Sequence, residues 1–275
     1  MNRKLLWWPV LTAMALLHPA SGRAASSGGF VPPKPLKAPL AALPPDAQVL
    51  ARLAPAADPD VLALGLSAMQ CAQAGGTGTG AQRLAVIDYS RSSLTPRLWV
   101  FDLARQKLLY EELVAHGQGS GGDVPDRFSN ADGTHASSLG LFFTRDTYQG
   151  HNGYSLRLDG LDAGFNDAAM NRAIVMHGAA YVDADNGRRM GRLGRSWGCP
   201  ALRKAVAKPI IDVMKDGQFV FSYYPEQAWL ARSALAKCAQ ARLASEVRNA
   251  RPLAWQGAAT AGYRLPEHGD AASIE

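Results

Sequence analysis

Apolar and polar positions divide the 275-residue chain into blocks of different character. Arg3 and Lys4 precede an apolar run from Leu5 to Leu17, and small residues follow at Ala20, Ser21, Gly22, Ala24 and Ala25. A basic start, a short apolar stretch and a small-residue region predict a secretory signal peptide over 1–24. The run falls short of the roughly 20 apolar residues of a membrane helix. No Cys follows it that could carry a lipid, so a freed protein without a stable membrane span is expected, with an uncleaved anchor as the alternative. In 25–57, Pro32, Pro33, Pro35, Pro39, Pro44, Pro45 and Pro55 interrupt any helical or strand period, which predicts a loosely packed Pro/Ala-rich arm. Asp58-Pro59-Asp60 then supplies a cap and a first turn, and Val61, Leu64 and Ala68 share one face before Gly75-Gly76. This predicts a helix and a link over 58–80.

From Arg83 the period changes to two. Strands are expected over 83–90 and 97–103, and over 107–116 across a tight turn at 104–106; further strands are expected at 139–144, 172–177 and 218–223. The stretch 117–138 is rich in Gly, Ser and Asp and has no period, which marks a functional or mobile loop. After Cys199, Leu202, Val206, Ile210 and Val213 are spaced for one helical face, with Pro200 in the first turn and a kink at Pro209. A last helix is expected over 225–245, with Trp229, Ala236 and Ala239 inward, and an aperiodic tail from Asn249. The fold class is therefore mainly β with peripheral helices: a core over 81–224, followed by a C-terminal helix and poorly ordered tail over 225–275.

Composition narrows the possibilities. With 47% hydrophobic and 19% charged residues, the chain reads as one globular domain. Loss of 1–24 removes Arg3, Lys4 and Arg23 and no acid, so the formal charge falls from +6 to +3. The remaining Lys and Arg are scattered and form no nucleic-acid-binding motif, so nucleic acid is excluded as a partner. Three cysteines in an exported chain predict one pair and one remainder. Cys71 and Cys238 lie in ordinary Ala-rich helical sequence and Cys199 in a Gly-flanked turn, which predicts a Cys71–Cys238 disulfide; the alternative leaves both reduced in the core.

The richest chemistry lies in Arg172-Ala-Ile-Val-Met-His-Gly178 and Gly194-Arg-Ser-Trp-Gly-Cys-Pro-Ala-Leu202. His177 ends an apolar strand and is followed by Gly178, so its imidazole emerges where strand gives way to loop. Cys199 is placed at a helix start, where the dipole lowers a thiol pKa from about 8.5. Around Gly198, the amides of Trp197, Gly198 and Cys199 are candidates for an oxyanion hole, with Ser196 as the polar residue of the turn. Together they suggest a Cys nucleophile with a His base. The bland alternative is a packed Cys and a hydrogen-bonded core His. No histidine pair has metal-ligand spacing, so neither a metal nor a cofactor is expected. His116, His135 and His151 are read chiefly as solvated loop residues, and Tyr148 and Tyr154 as packing residues or, together with His151, as substrate contacts.

His177-Gly178 followed by Ser196-Trp197-Gly198-Cys199 resembles the His-Gly and Ser-x-Gly-Cys signature of the L,D-transpeptidase catalytic domain, often called the YkuD domain. Ser137-Ser-Leu-Gly140, Gly150-His-Asn-Gly-Tyr-Ser-Leu156, Gly160-Leu-Asp-Ala-Gly-Phe-Asn166 and Met176-His-Gly-Ala-Ala-Tyr-Val182 resemble one branch of it, the murein L,D-transpeptidase catalytic domain family. The resemblance covers about residues 80–224. It implies a sandwich-like β domain, peptidoglycan stem peptides as substrate, and a periplasmic or cell-envelope location. It also implies Cys199 as nucleophile, His177 as base and Gly178 as the carbonyl that orients the imidazole, with carbapenems acylating the same Cys. Pro200-Ala201 departs from the Arg or Asn that common members carry after the Cys, which leaves Arg195 or Arg203 to recognise carboxylate. The rivals are hydrolysis by the same site, as in an L,D-carboxypeptidase, and a non-catalytic wall-binding module; the oligomeric state is not legible.

Overall fold

The computed structural model describes residues 43–250; the expected signal peptide, most of the arm and the tail after 250 lie outside the described residues. The strands are β1 (Arg83–Asp88), β2 (Leu98–Asp102), β3 (Lys107–Glu112), β4 (Val114–Ala115), β5 (Gly140–Gly150), β6 (Gly153–Gly160), β7 (Val175–Ala179), β8 (Ala201–Arg203) and β9 (Phe219–Tyr223). They form one nine-stranded sheet in the order β3-β2-β1-β9-β5-β6-β7-β8-β4. The pairings β1–β9 and β7–β8 are parallel and the remainder antiparallel. Central strands are apolar at nearly every position because both faces are covered. Leu84 and Val86, Trp99 and Phe101, and Phe219 and Phe221 pack on one side. Ala85 and Ile87, Leu98 and Val100, and Val220 pack on the other.

The first face is covered by α1 (Pro45–Leu53), α2 (Pro59–Ala74) and α6 (Ala234–Ala250), the second by α4 (Lys204–Met214). Asp58 caps α2, its carboxylate accepting from the Asp60 amide at 3.0 Å. Gly65, inside α2, lies against the sheet: a Cβ there would stand 2.8 Å from the Phe221 ring and 3.3 Å from Val86. Cys71 of α2 is joined to Cys238 of α6. Among the described residues no helix is long and apolar enough to cross a membrane.

Several expectations are corrected. The C-terminal part of the Pro/Ala-rich arm is not loose: Pro44-Pro45 starts α1, with Pro45 in the first turn, where a missing N–H costs nothing, and Ala47 and Leu50 are buried. The β6 strand was not expected, although Leu156 and Leu158 alternate with Arg157 and Asp159. A short α3 (Ala184–Met190) follows β7, capped by Asp183. The helix expected at 225–245 is split into α5 (Gln227–Arg232) and α6 at Ser233, whose hydroxyl donates to buried Asp162 and accepts from the Ala236 amide at 2.9 Å. Asp162 also accepts from the Leu141 amide at 2.7 Å, so the 160–166 motif serves to lock β5 to the C-terminal helices.

The segment after Cys199 is the correction that bears on chemistry. Residues 201–203 are strand β8, wedged between β7 and β4, and α4 begins only at Lys204. Ala201 and Leu202 are wholly buried, so ladder pairing on both sides overrides the helical spacing. Cys199 therefore stands at no helix N-terminus.

Candidate active site

β7 carries His177, which pairs with Ser155 on β6 and Ala201 on β8. Because β7 and β8 run parallel, Cys199 falls two residues back along the register from Ala201, level with Val175. The Val175 amide donates to Cys199 Sγ at 3.4 Å, and the thiol reaches the Ala173 carbonyl at 3.8 Å. The sulfur is thus seated against the start of β7, one two-residue step, roughly 6–7 Å of strand rise, before His177, which lies in the middle of that strand and not at its end as the sequence pattern predicts. Cys199 is the free cysteine and is buried. Among the described residues no hydrogen bond joins its sulfur to His177.

His177 Nδ1 lies 3.2 Å from the Gly178 carbonyl. With the proton on Nδ1 donating to that oxygen, Nε2 keeps its lone pair. Burial holds His177 below its ordinary pKa, opposed by the Gly178 contact. Burial also raises the Cys199 thiol, opposed by the Val175 amide and the charge of Arg172. Burial thus favours the neutral form of both groups, whereas a helix start would have favoured a thiolate.

The turn that presents Cys199 is tied at three points. Ser196 Oγ donates to the Cys199 carbonyl at 2.6 Å and accepts from the Gly198 amide at 3.2 Å. Ser137 Oγ donates to the Gly198 carbonyl at 3.0 Å and accepts from the Gly117 amide at 3.0 Å. Gly198 has φ 115°, and a Cβ there would stand 2.9 Å from the Ala136 carbonyl. This requires glycine. The Gly198 amide is engaged by Ser196, which leaves the Trp197 and Cys199 amides as the candidates for holding an oxyanion. Trp197 is 69% exposed and stacks on His135 with ring centroids 4.7 Å apart.

Arg172 received no role from the sequence and is central here. Its guanidinium donates to the Ser129 and Ala136 carbonyls at 2.7 Å and to Ser138 Oγ at 2.6 Å, fixing the 117–138 loop beside Gly198. These acceptors are neutral, as is Thr134 Oγ1 at 3.5 Å, and the charges the guanidinium acts on are Asp132 and then Cys199. A single Arg at the head of an apolar strand was the available signal. Behind the turn, His116 is buried, not solvated: its Nδ1 lies 2.8 Å from Arg97, and burial and that cation hold it near pKa 3. Its carbonyl accepts from the Ser196 amide at 3.0 Å, a scaffolding contact.

Arg203 is paired with Glu112 at 2.7 and 2.9 Å, and Arg195 donates to the carbonyls of Gly121 and Gln118. Neither lines the cleft beside His177, whereas Tyr154 and His151 do. Tyr148 instead packs under Arg157, 4.2 Å from its ring centroid. Among the described residues no three His, Cys, Asp or Glu side chains converge to hold a metal.

A family profile described as the L,D-transpeptidase catalytic domain matches residues 53–223, more than half of the chain. The chain belongs to this family. Among solved structures it is similar to an L,D-transpeptidase from Mycobacterium smegmatis, with 14% identity over 52% of this chain and 59% of that one, TM-score 0.32. An L,D-transpeptidase from Stackebrandtia nassauensis gives 15% identity over 53% and 57%, TM-score 0.32. The helical cell shape determining protein Pgp2 of Campylobacter jejuni gives 12% over 58% and 53%, TM-score 0.37. The chain spans little more than half the length of these proteins, and the family membership rests on the profile. No curated protein matches. The matched span includes both the β7 segment that carries His177-Gly178 and the tied turn of Ser196 to Cys199.

Proposed function

We propose that this chain is an exported cysteine acyl-transferase of the cell envelope that acts on peptidoglycan stem peptides by L,D-transpeptidation. The observation that carries the reading is the seating of a free Cys199 sulfur against the start of β7, two residues before an imidazole whose Nδ1 is committed to Gly178. His177 Nε2 takes the thiol proton as sulfur attacks the carbonyl of the L-centre preceding a D-residue. The Trp197 and Cys199 amides receive the oxyanion. Collapse breaks the C–N bond, His177 returns the proton to the departing D-amino acid, and a Cys199 thioester remains. An acceptor amine, deprotonated by His177, then attacks the thioester and restores the thiol.

The test is incubation of the purified chain with tetrapeptide muropeptides, followed by intact-mass and product analysis. A stem-acyl adduct and cross-linked dimers are expected, and both vanish in Cys199→Ala, as does the adduct with a carbapenem. Shortened stems without dimers would replace transfer by hydrolysis. An adduct that survives Cys199→Ala would place the nucleophile elsewhere.

A further inference from the structure

A cleft of about 480 Å³ opens beside the catalytic strand, walled by His177 and Gly178 on one side and by Lys204 and Lys208 of α4 on another. His151, Tyr154 and Tyr181 also line it, and no Asp or Glu is among its lining residues. The two lysines differ. Lys208 is held by Asp212, which Tyr154 Oη also reaches at 2.8 Å, so its charge is compensated. Lys204 is exposed and has no ion pair among the described residues. Its backbone packs on Gly178: a Cβ on Gly178 would stand 3.5 Å from Lys204 Cα. The Lys204 stem, whose Cγ would stand 3.8 Å from the same Cβ, thus packs beside the residue whose carbonyl lies against the imidazole, and Lys204 lines the cleft. Tyr181 borders the cleft, and His177, which lines it, belongs to the strand against which the Cys199 sulfur is seated.

We propose that this cleft is a carboxylate-binding subsite in which Lys204 fixes an acidic group of the substrate, the role that Arg195 and Arg203 are too committed to fill. The inference rests on the transferase reading for the identity of its ligand. A stem peptide offers carboxylates of two kinds, the terminal one of the D-residue and any side-chain one, and a point-charge ammonium receives either. An acid-free wall makes the preference for anions steep, and salt weakens it.

Binding and acylation are measured separately. In the first arm, full-length Cys199→Ala is titrated calorimetrically with a synthetic stem tetrapeptide and with versions amidated at the terminal or at the side-chain carboxylate. Lys204→Met is expected to weaken binding of the free acid about ten-fold, a loss of roughly 1.4 kcal/mol, with Lys204→Arg recovering most of it. The amidated form that removes the bound carboxylate is expected to bind weakly and to lose nothing further in Lys204→Met, which identifies the carboxylate. Equal losses for the free acid and both amides, no loss at all, or no binding of the stem peptide to any variant overturns the subsite. In the second arm, acyl-enzyme formation by the chain with Cys199 intact is followed by mass. Absence of acylation despite Lys204-dependent binding would sink the transferase reading and leave the subsite standing.

Discussion

Three groups oppose the effect of burial on the Cys199 thiol: the Val175 amide, the Arg172 guanidinium and the amide of Cys199 itself. The amides belong to the backbone, so Arg172 is the part that substitution can remove. In Arg172→Met the pH midpoint for alkylation of Cys199 by iodoacetamide is expected to move upward and the rate at neutral pH to fall several-fold. Arg172→Lys, which keeps the charge but loses the fork that holds the loop, should restore part of it. A midpoint unchanged in Arg172→Met would assign the residue to loop packing alone. Cys199, His177 and the glycines of the turn were legible because their chemistry is written in adjacent letters. Arg172 and Lys204 were not, because their surroundings are set by groups distant in sequence: the loop carbonyls that hold Arg172 and the Gly178 backbone beside Lys204. Arg195 and Arg203, conspicuous by closeness to Cys199 in sequence, are spent on Gly121 and Glu112.

Elements show the same contrast between local and distant causes. The α2 cap was readable from Asp58-Pro59-Asp60, and β1, β2 and β9 from their apolar runs. The alternation of Leu156 and Leu158 with Arg157 and Asp159 carries the period-two signal of β6, short and flanked by glycines on both sides. No local signal marks β8, a three-residue strand defined by neighbours on both sides. Gly65 is likewise explained by its neighbours: it gives up helix propensity, about 1 kcal/mol relative to Ala, to let α2 meet Phe221. Gly65→Ala should therefore destabilise the protein, overpacking costing about 1–3 kcal/mol against that gain. Urea unfolding checks it, and a raised midpoint would show that the Phe221 ring gives way freely.

At the scale of the molecule, the sandwich-like family expectation takes the form of a single sheet buried between α1, α2 and α6 on one face and α4 on the other. Composition and period established the β core, but that Pro44 and Pro45 begin a buried helix depended on what α1 packs against. The Cys71–Cys238 bond links two of the helices that cover one face of the sheet, across 167 positions in sequence. The chain-entropy model assigns such a closure about 5 kcal/mol, so removing it by Cys71→Ala/Cys238→Ala should lower the thermal midpoint substantially while Cys199 still alkylates at its native rate. A midpoint indistinguishable from the parent would mean that helix packing alone holds α6. Every strand from β1 to β9 lies inside the covalent ring so formed. The exposed hairpin tip at 151–153 lies inside it too, so a protease that nicks this tip yields two pieces that remain one body: a single band in non-reducing electrophoresis, resolved into fragments only after thiol is added.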